Sequence, residues 1–169
     1  MQTLFEGRHL RLLDDNGWEF AQRTGVSGVV VIVPITDQGE VVLVEQYRKP
    51  VKARVLELPA GLSGDIAGAE DEALVTAAAR ELMEETGFEG SQWEVLGEAP
   101  VSAGLTDETV MFFAARGLTR TGPGGGDESE DIEVHLVPLS TLREFLKSRA
   151  ASGVKIDAKI GGGLWMAGL

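Results

Sequence analysis

The sequence predicts an α/β sandwich formed by a single domain. Two runs rich in valine and isoleucine, Val26 to Ile35 and Val41 to Tyr47, have the length and composition of buried strands. Apolar residues recur at helical spacing from Asp71 to Thr86 and again from Leu139 to Ala150. The chain of 169 residues can bury one sizeable core, and neither an internal repeat nor a long linker divides it. We therefore treat residues 1–169 as one domain.

The first half of the chain is predicted to be rich in strands. Leu4 to Leu13 alternates apolar and charged residues, which is typical of a short strand or hairpin arm. Residues 37–39 (Asp-Gln-Gly) mark a turn, after which Val41 to Tyr47 is predicted to return alongside the preceding strand. Val55 to Leu58 is a further short strand. The small, polar and glycine-rich stretch from Gly61 to Glu70 is predicted to be a loop.

The second half begins with a helix that ends at Gly87, a residue suited to the position after a helix C-terminus. The strands predicted beyond it are Trp93 to Gly97, Val110 to Ala114 and Ile132 to Pro138. Gly122 to Asp127 is predicted to be a flexible loop. The tail from Lys155 is ambiguous, because Gly161 to Gly163 weaken any helix there.

Composition restricts the classes of function. The formal net charge of −12 disfavours binding to nucleic acid or to anionic membranes, and an anionic substrate would need local cations or bound metal. The absence of cysteine excludes disulfides, thiolate ligands and a cysteine nucleophile, which favours a reducing compartment. The longest apolar run, Val29 to Ile35, is too short to cross a bilayer, and the first residues do not resemble a signal peptide. We therefore expect a cytoplasmic protein.

Three carboxylates are concentrated near the end of the first helix. Glu81, Glu84 and Glu85 fit within an arc of about 100° on one helix face. Such a cluster repels itself and opposes the helix dipole, whereas a bound Mg²⁺ or Mn²⁺ would reverse the sign of that cost. Arg80 lies four residues before Glu84 and can hold that carboxylate. A solvated acidic helix face explains the cluster alone equally well.

The spacing around this cluster resembles the signature of the Nudix hydrolase family. Glu72, seven further residues and then Arg80 to Phe88 (Arg-Glu-Leu-Met-Glu-Glu-Thr-Gly-Phe) match the second part of the signature at every fixed position. The first part departs, because ten residues rather than five separate Gly61 from Glu72. We interpret the difference as a five-residue insertion that leaves the helix chemistry intact and can reshape the substrate pocket. The resemblance implies a Nudix-like α/β/α fold, with a mixed sheet between helices.

Segments before the box resemble the ADP-ribose pyrophosphatase branch of that family. The resemblance implies that Trp18 stacks on adenine and that Arg23 contacts the ligand. It also implies that Arg48 contacts the substrate or its phosphates, either within one chain or across a dimer, and that Glu57 belongs to the same substrate site. The carbonyl oxygen of Ala60 would be a metal ligand.

Segments after the box resemble the same branch. Residues 102–108 are similar to its substrate loop, which would bring Gly104, Leu105 and Glu108 to the ligand. Residues 128–134 are similar to the acidic loop that carries the catalytic glutamate. The resemblance suggests Glu130 for the metal and Glu128 for the general base. Both lie before a strand, on a loop that can swing in when substrate binds.

Several of these residues also have a structural interpretation. Trp18 alone would more often be a partly buried aromatic anchor. Arg48 could pair with an acid such as Glu57, about as readily as with a ligand. The stretch from Gly122 to Glu130 could be the tip of an acidic hairpin without a role.

The implied reaction is metal-dependent hydrolysis of ADP-ribose to AMP and ribose 5-phosphate. More than one Mg²⁺ or Mn²⁺ would be held by Glu81, Glu85, Glu130 and the Ala60 carbonyl, with Arg80 and Glu84 assisting catalysis. One alternative is a Nudix enzyme for another nucleotide, such as a nucleotide sugar or a dinucleoside polyphosphate. The other is a non-catalytic sensor of ADP-ribose or NAD-like ligands. We also expect a homodimer in which residues 1–25 contribute to the interface.

Overall fold

A computed structural model describes residues 1–126 and 131–169. The chain begins with an antiparallel three-stranded sheet of β1 (Gln2–Glu6), β2 (Leu10–Asp15) and β3 (Trp18–Arg23), in that order. The segment predicted as one strand or hairpin arm is thus a complete hairpin. Asn16 and Gly17 both have positive φ and form the two-residue turn that leads into β3, which the sequence analysis did not identify. We call β1–β3 the N-terminal sheet.

Two four-stranded sheets form the body of the domain. Their strands are β4 (Gly28–Pro34), β5 (Glu40–Arg48), β6 (Ala53–Glu57), β7 (Ala60–Ser63), β8 (Phe88–Pro100), β9 (Thr109–Arg120), β10 (Glu133–Pro138) and β11 (Lys155–Ile156). One sheet has the order β7-β4-β9-β8 and the other has the order β10-β5-β6-β11. The pairs β4–β9 and β6–β11 are parallel, and the other pairs are antiparallel. Both sheets are therefore mixed.

Within the described residues, three α-helices cover these sheets: α1 (Leu74–Thr86), α2 (Leu142–Ala151) and α3 (Ala158–Met166). Successive side chains of a strand point to opposite faces, and β4 shows this alternation clearly. Val30 and Ile32 pack in a core cluster with Ala77, Ala78 and Leu82 of α1. The intervening valines, Val31 and Val33, pack in a second cluster that includes α2 and α3. The predicted α/β sandwich is confirmed.

The predicted hairpin between β4 and β5 is wrong. The two strands lie in different sheets and share only an isolated bridge from Ile35 to Val41. The edges of β4 are occupied by β7 and β9, and those of β5 by β10 and β6. Both strands are buried on both faces over most of their length, so their own pattern does not specify which neighbours they take.

Other boundaries also differ from prediction, and β8 and β9 extend well beyond the strands predicted there. β7 occupies the start of the predicted loop at Gly61, and α1 begins at Leu74 rather than at Asp71. The ambiguous tail forms β11 and α3. A Cβ atom at Gly163 would lie 2.7 Å from Leu58 Cδ1 and 3.0 Å from Val33 Cγ2, so glycine allows α3 to pack closely on the sheet. That packing offsets the low helix propensity of glycine. No helix among residues 1–126 and 131–169 is long and apolar enough to span a bilayer.

Candidate active site

A cavity of about 680 Å³ opens at one end of the strands in the β7-β4-β9-β8 sheet. Its floor is apolar and includes Val29 and Val31 of β4 and Val110 of β9. Its walls carry acidic and basic side chains from α1, β3, β5 and α3. Because β4 and β9 are parallel, both strands begin at this end of the sheet, where the antiparallel β7 ends. The sheet thus brings together segments that lie far apart in the sequence.

The carboxylates of α1 lie against the backbone of β7. A Cβ atom at Gly61 would overlap the carboxyl group of Glu81, so only glycine leaves space for this side chain. Glu85 is 3% exposed, and its Oε2 accepts a hydrogen bond of 3.0 Å from the backbone N–H of Ala60. Glu84 is more exposed and also lines the cavity. The predicted helix face is therefore turned toward the predicted backbone ligand, Ala60.

Arg80 holds the acidic side chains in place. Its Nη1 donates to Glu81 Oε1 at 2.8 Å and lies 3.3 Å from Glu84 Oε2. Its Nη2 lies 3.2 Å from Glu72 Oε2 and donates to the Leu62 carbonyl at 2.9 Å. The prediction that Arg80 can hold Glu84 is confirmed. The guanidinium also donates hydrogen bonds to Glu81 and Glu72 and forms a longer ion pair with Asp65. The bonds to Glu72 and to the Leu62 carbonyl fix its orientation, so we describe Arg80 as a positioning residue.

Burial and the nearby negative charges shift the pKa of Glu81 on this face. Burial raises the pKa of Glu81 to about 7, and the nearby carboxylates of Glu84 and Asp65 add to the effect. The Arg80 guanidinium opposes the rise without cancelling it. A second cationic group would therefore be favourable beside Glu81.

These residues fit a hard divalent cation by their chemistry. Every available donor is an oxygen, from the carboxylates of Glu81, Glu84 and Glu85 or the carbonyl of Ala60, and oxygen is the ligand type that Mg²⁺ and Mn²⁺ prefer. The carboxyl group of Glu81 occupies the space that a Cβ atom at Gly61 would take. Across the described ranges, no three acidic or histidine side chains converge closely enough to form a metal-binding group by themselves. Glu130, the fourth predicted ligand, lies outside those ranges.

Two ion pairs place arginine side chains in the cavity walls opposite α1. Arg23 Nε is 2.5 Å from Glu108 Oε1, and Arg48 Nε is 2.7 Å from Glu57 Oε2. All four residues line the cavity. Burial raises the pKa of Glu57, although the hydrogen bond from Arg48 acts in the opposite direction. Arg48 thus pairs with Glu57 and also lines the cavity. Its contact with a ligand stays a prediction.

The other predicted site residues lie elsewhere. Trp18 is 63% exposed at the start of β3 and does not line the cavity. Gly104 and Leu105 belong to the turn between β8 and β9, where the Leu105 carbonyl accepts a hydrogen bond from Ala21 in β3. Neither Gly104 nor Leu105 lines the cavity. Glu128 and Glu130 lie outside the described residues.

Lys159, Asp65 and Ile66 are among the cavity residues that the sequence analysis did not identify. Lys159 is in the first turn of α3, where its Nζ lies 2.5 Å from Asp157 Oδ2. Asp157 also caps the helix by accepting from the backbone N–H of Lys159 at 2.7 Å. An Asp followed by an apolar run is a helix-start signal. It could have located α3, but not the cavity that α3 borders.

Comparison with known proteins identifies the family to which this chain belongs. The family model described as the NUDIX domain matches residues 26–157. The chain belongs to the Nudix family. It is a Nudix hydrolase, as the spacing of the acidic residues predicted, and Nudix hydrolases in general depend on divalent metal ions.

Relatives of this Nudix hydrolase have different names. A methanol dehydrogenase activator of Bacillus methanolicus is 34% identical over 156 residues, which cover 88% of this chain and 81% of that protein. An ADP-ribose pyrophosphatase of Mycobacterium tuberculosis is 37% identical over 131 residues, which cover 76% of this chain and 61% of that protein. The crystal structure of an ADP compounds hydrolase aligns with a TM-score of 0.65 at 23% identity, covering 86% of this chain and 80% of that one. The last comparison supports the fold alone.

Proposed function

We propose that this Nudix hydrolase cleaves the phosphoanhydride bond of ADP-ribose and releases AMP and ribose 5-phosphate. The observation that supports the proposal is the carboxylate face of α1, turned toward the backbone of Ala60 and Gly61 in a cavity that also contains basic side chains. A pyrophosphate requires both features, since its charge must be neutralised while a water molecule attacks phosphorus. The similarity to an ADP-ribose pyrophosphatase supports the choice of substrate.

Different residues of the chain would have different roles in the reaction. Glu81, Glu85 and the Ala60 carbonyl would hold Mg²⁺ or Mn²⁺, and Arg80 would keep Glu81 and Glu84 oriented. Bound divalent ions supply charge neutralisation and lower the pKa of a coordinated water. Arg23 and Arg48 would contact the substrate from the opposite walls. Each would exchange part of its ion pair for a substrate oxygen.

The general base is proposed to come from Glu128 or Glu130. A metal-bound carboxylate is a poor base, which argues against the glutamates of α1 in this role. We expect the Gln variant of the base to lower kcat by roughly 10²–10⁴-fold with little change in substrate affinity. The Gln variant of a metal ligand should instead recover activity as the metal concentration rises. If neither variant slows turnover tenfold, the base lies elsewhere, and Glu108 is the next candidate.

Trp18 is proposed as a stacking platform for adenine. Trp18→Ala should weaken binding of adenine-containing substrates by about 1–3 kcal/mol, seen chiefly as a higher KM. Since Trp18 lies outside the cavity of its own chain, the proposal requires it to reach the cavity of another copy. Equal KM values for the variant and the wild type would show that Trp18 does not contact substrate.

A homodimer built through the N-terminal sheet is therefore part of the proposal. β1 is exposed along its whole length. The exposed large apolar side chains of this sheet are Leu4, Phe5, Leu10, Leu12 and Trp18. An apolar surface of this kind is typical of an interface, and a second copy is the partner always present. Light scattering at micromolar concentration should give the mass of a dimer, and a monomeric mass would refute this part of the proposal.

A hydrolysis screen tests the proposed reaction. The enzyme is incubated with Mg²⁺ or Mn²⁺ and a panel of nucleoside diphosphate derivatives, and we expect ADP-ribose to show the highest kcat/KM. The insertion between Gly61 and Glu72 keeps one alternative open, in which the substrate is a different nucleotide such as a nucleotide sugar. A higher kcat/KM for such a compound than for ADP-ribose would identify it as the preferred substrate. Tight binding of ADP-ribose without turnover of any compound would instead indicate a sensor.

A further inference from the structure

The insertion before α1 forms a closed loop over residues 64–71, here called the insertion loop. Its two ends are held together, because Ser63 Oγ donates a hydrogen bond of 2.8 Å to the carbonyl of Glu72. Gly64 has a φ of 75°, and a Cβ atom there would lie 2.7 Å from the carbonyl oxygen of Glu70. A loop whose ends meet in this way can vary in length without displacing the strand and helix that it joins. The insertion therefore leaves β7 and α1 in register.

The insertion loop contributes two side chains to the cavity wall, Asp65 and Ile66. Ile66 is 45% exposed, so its apolar side chain is accessible to a ligand in the cavity. Asp65 Oδ1 lies 3.6 Å from Arg80 Nη2, beyond hydrogen-bonding distance. Its carboxylate therefore retains capacity to accept hydrogen bonds from a ligand.

The insertion loop and the Arg23–Glu108 pair stand on opposite sides of the cavity. Asp65 follows the end of β7, Glu108 precedes the start of β9, and β4 lies between these strands. Two strand spacings, about 10 Å, therefore separate the two walls. The carboxylates of α1 contact β7 at Gly61 and so belong to the side of the insertion loop. A substrate with its base toward Arg23 would present the group beyond the scissile bond to Asp65 and Ile66.

We propose that Asp65 and Ile66 bind the sugar of the substrate on the far side of the scissile phosphoanhydride from the base. A carboxylate accepts hydrogen bonds from two neighbouring hydroxyls, and an isoleucine packs against the C–H face of a sugar ring. The inference rests on the proposed function, since it assumes a nucleoside diphosphate linked to a polyol. It assigns the selectivity for that polyol to a segment that the Nudix signature does not contain.

The test separates sugar contacts from other effects. Asp65→Asn and Ile66→Ala are each assayed with ADP-ribose, and ADP, which lacks the second sugar, is used as a competitive inhibitor. We expect KM for ADP-ribose to rise roughly five- to twentyfold in each variant, with kcat changed by less than about threefold and Ki for ADP unchanged. Asp71→Asn and Val75→Ala serve as matched controls, because both residues are exposed and neither lines the cavity. Both controls should behave as the wild type.

Four outcomes would overturn the inference. A fall in kcat for ADP-ribose in Asp65→Asn, with KM unchanged, would show that Asp65 acts only through Arg80. An equal rise in KM for ADP-ribose and in Ki for ADP would place both residues at the nucleotide. Unchanged KM in both variants of an active enzyme would refute the inference while leaving the proposed function intact. If the wild type hydrolyses no nucleoside diphosphate derivative, the proposed function fails and the inference fails with it.

Discussion

Glu85→Gln is expected to reduce hydrolysis by roughly a hundredfold or more while the protein stays folded. The Gln side chain has nearly the same shape and keeps an oxygen that can accept the hydrogen bond from the Ala60 N–H, now made by Glu85 Oε2. What the substitution removes is the negative charge, on a side chain that is 3% exposed and faces the proposed metal site. The expected loss is therefore in metal affinity and in stabilisation of charge on the transferred phosphoryl group.

The measurement is kcat/KM as a function of Mg²⁺ or Mn²⁺ concentration, together with thermal unfolding without metal. Glu144→Gln is the matched control, since Glu144 is an exposed acid in the first turn of α2 and does not line the cavity. We expect the control to keep wild-type activity and Glu85→Gln to unfold at a temperature close to that of the wild type. A folded Glu85→Gln protein with normal turnover would show that Glu85 does not hold the metal.

Glu45→Gln is expected to destabilise the fold by about 2–4 kcal/mol. Glu45 is fully buried on β5, beneath α2. Its Oε1 accepts from Arg54 Nε at 2.9 Å and its Oε2 accepts from Arg149 Nε at 2.9 Å, while His135 Nε2 lies 3.6 Å from Oε2. Without the carboxylate, two guanidinium groups would face each other across a neutral amide. Partial exposure of both arginines limits the cost.

The pH dependence of this difference provides a second readout. Burial alone would raise the pKa of Glu45, but the hydrogen bonds and charges of Arg149 and Arg54 outweigh it and lower the pKa below its usual value. A carboxyl whose pKa is lower in the folded state stabilises the fold above its unfolded pKa, and loses that contribution as the pH falls through the folded value. The difference between wild type and Glu45→Gln should thus be constant near neutral pH and shrink in acid.

Urea unfolding at several pH values measures both quantities. The matched control is Glu133→Gln, because Glu133 lies directly opposite Glu45 in the β5–β10 pairing but is 61% exposed. Its effect should stay below about 0.5 kcal/mol. A Glu45→Gln protein as stable as this control would show that the buried ion cluster makes no net contribution to stability.

The chemistry of α1 was predictable from the sequence, because helical periodicity fixes the relative positions of residues that are close in the chain. Glu81, Glu84 and Glu85 share one face whatever surrounds the helix, and Arg80 is within reach of Glu84 for the same reason. The end of α1 at Gly87, which has a φ of 73°, is likewise a local property. Because the box matches over one continuous segment, it was sufficient to predict the Nudix family.

Only the tertiary structure decided which distant segments meet. The partners of β4 and β5 could not be predicted, since strands that are buried on both faces fit several neighbours and packing selects among them. Glu45 was visible as an acid within an apolar strand, but one of its arginines is 104 residues away. Lys159 reaches the cavity because α3 packs on the sheet, with its closest approach at Gly163. Such contacts depend on the closure of long loops and on the fit of a shared core, and neither is encoded in the local spacing of residues.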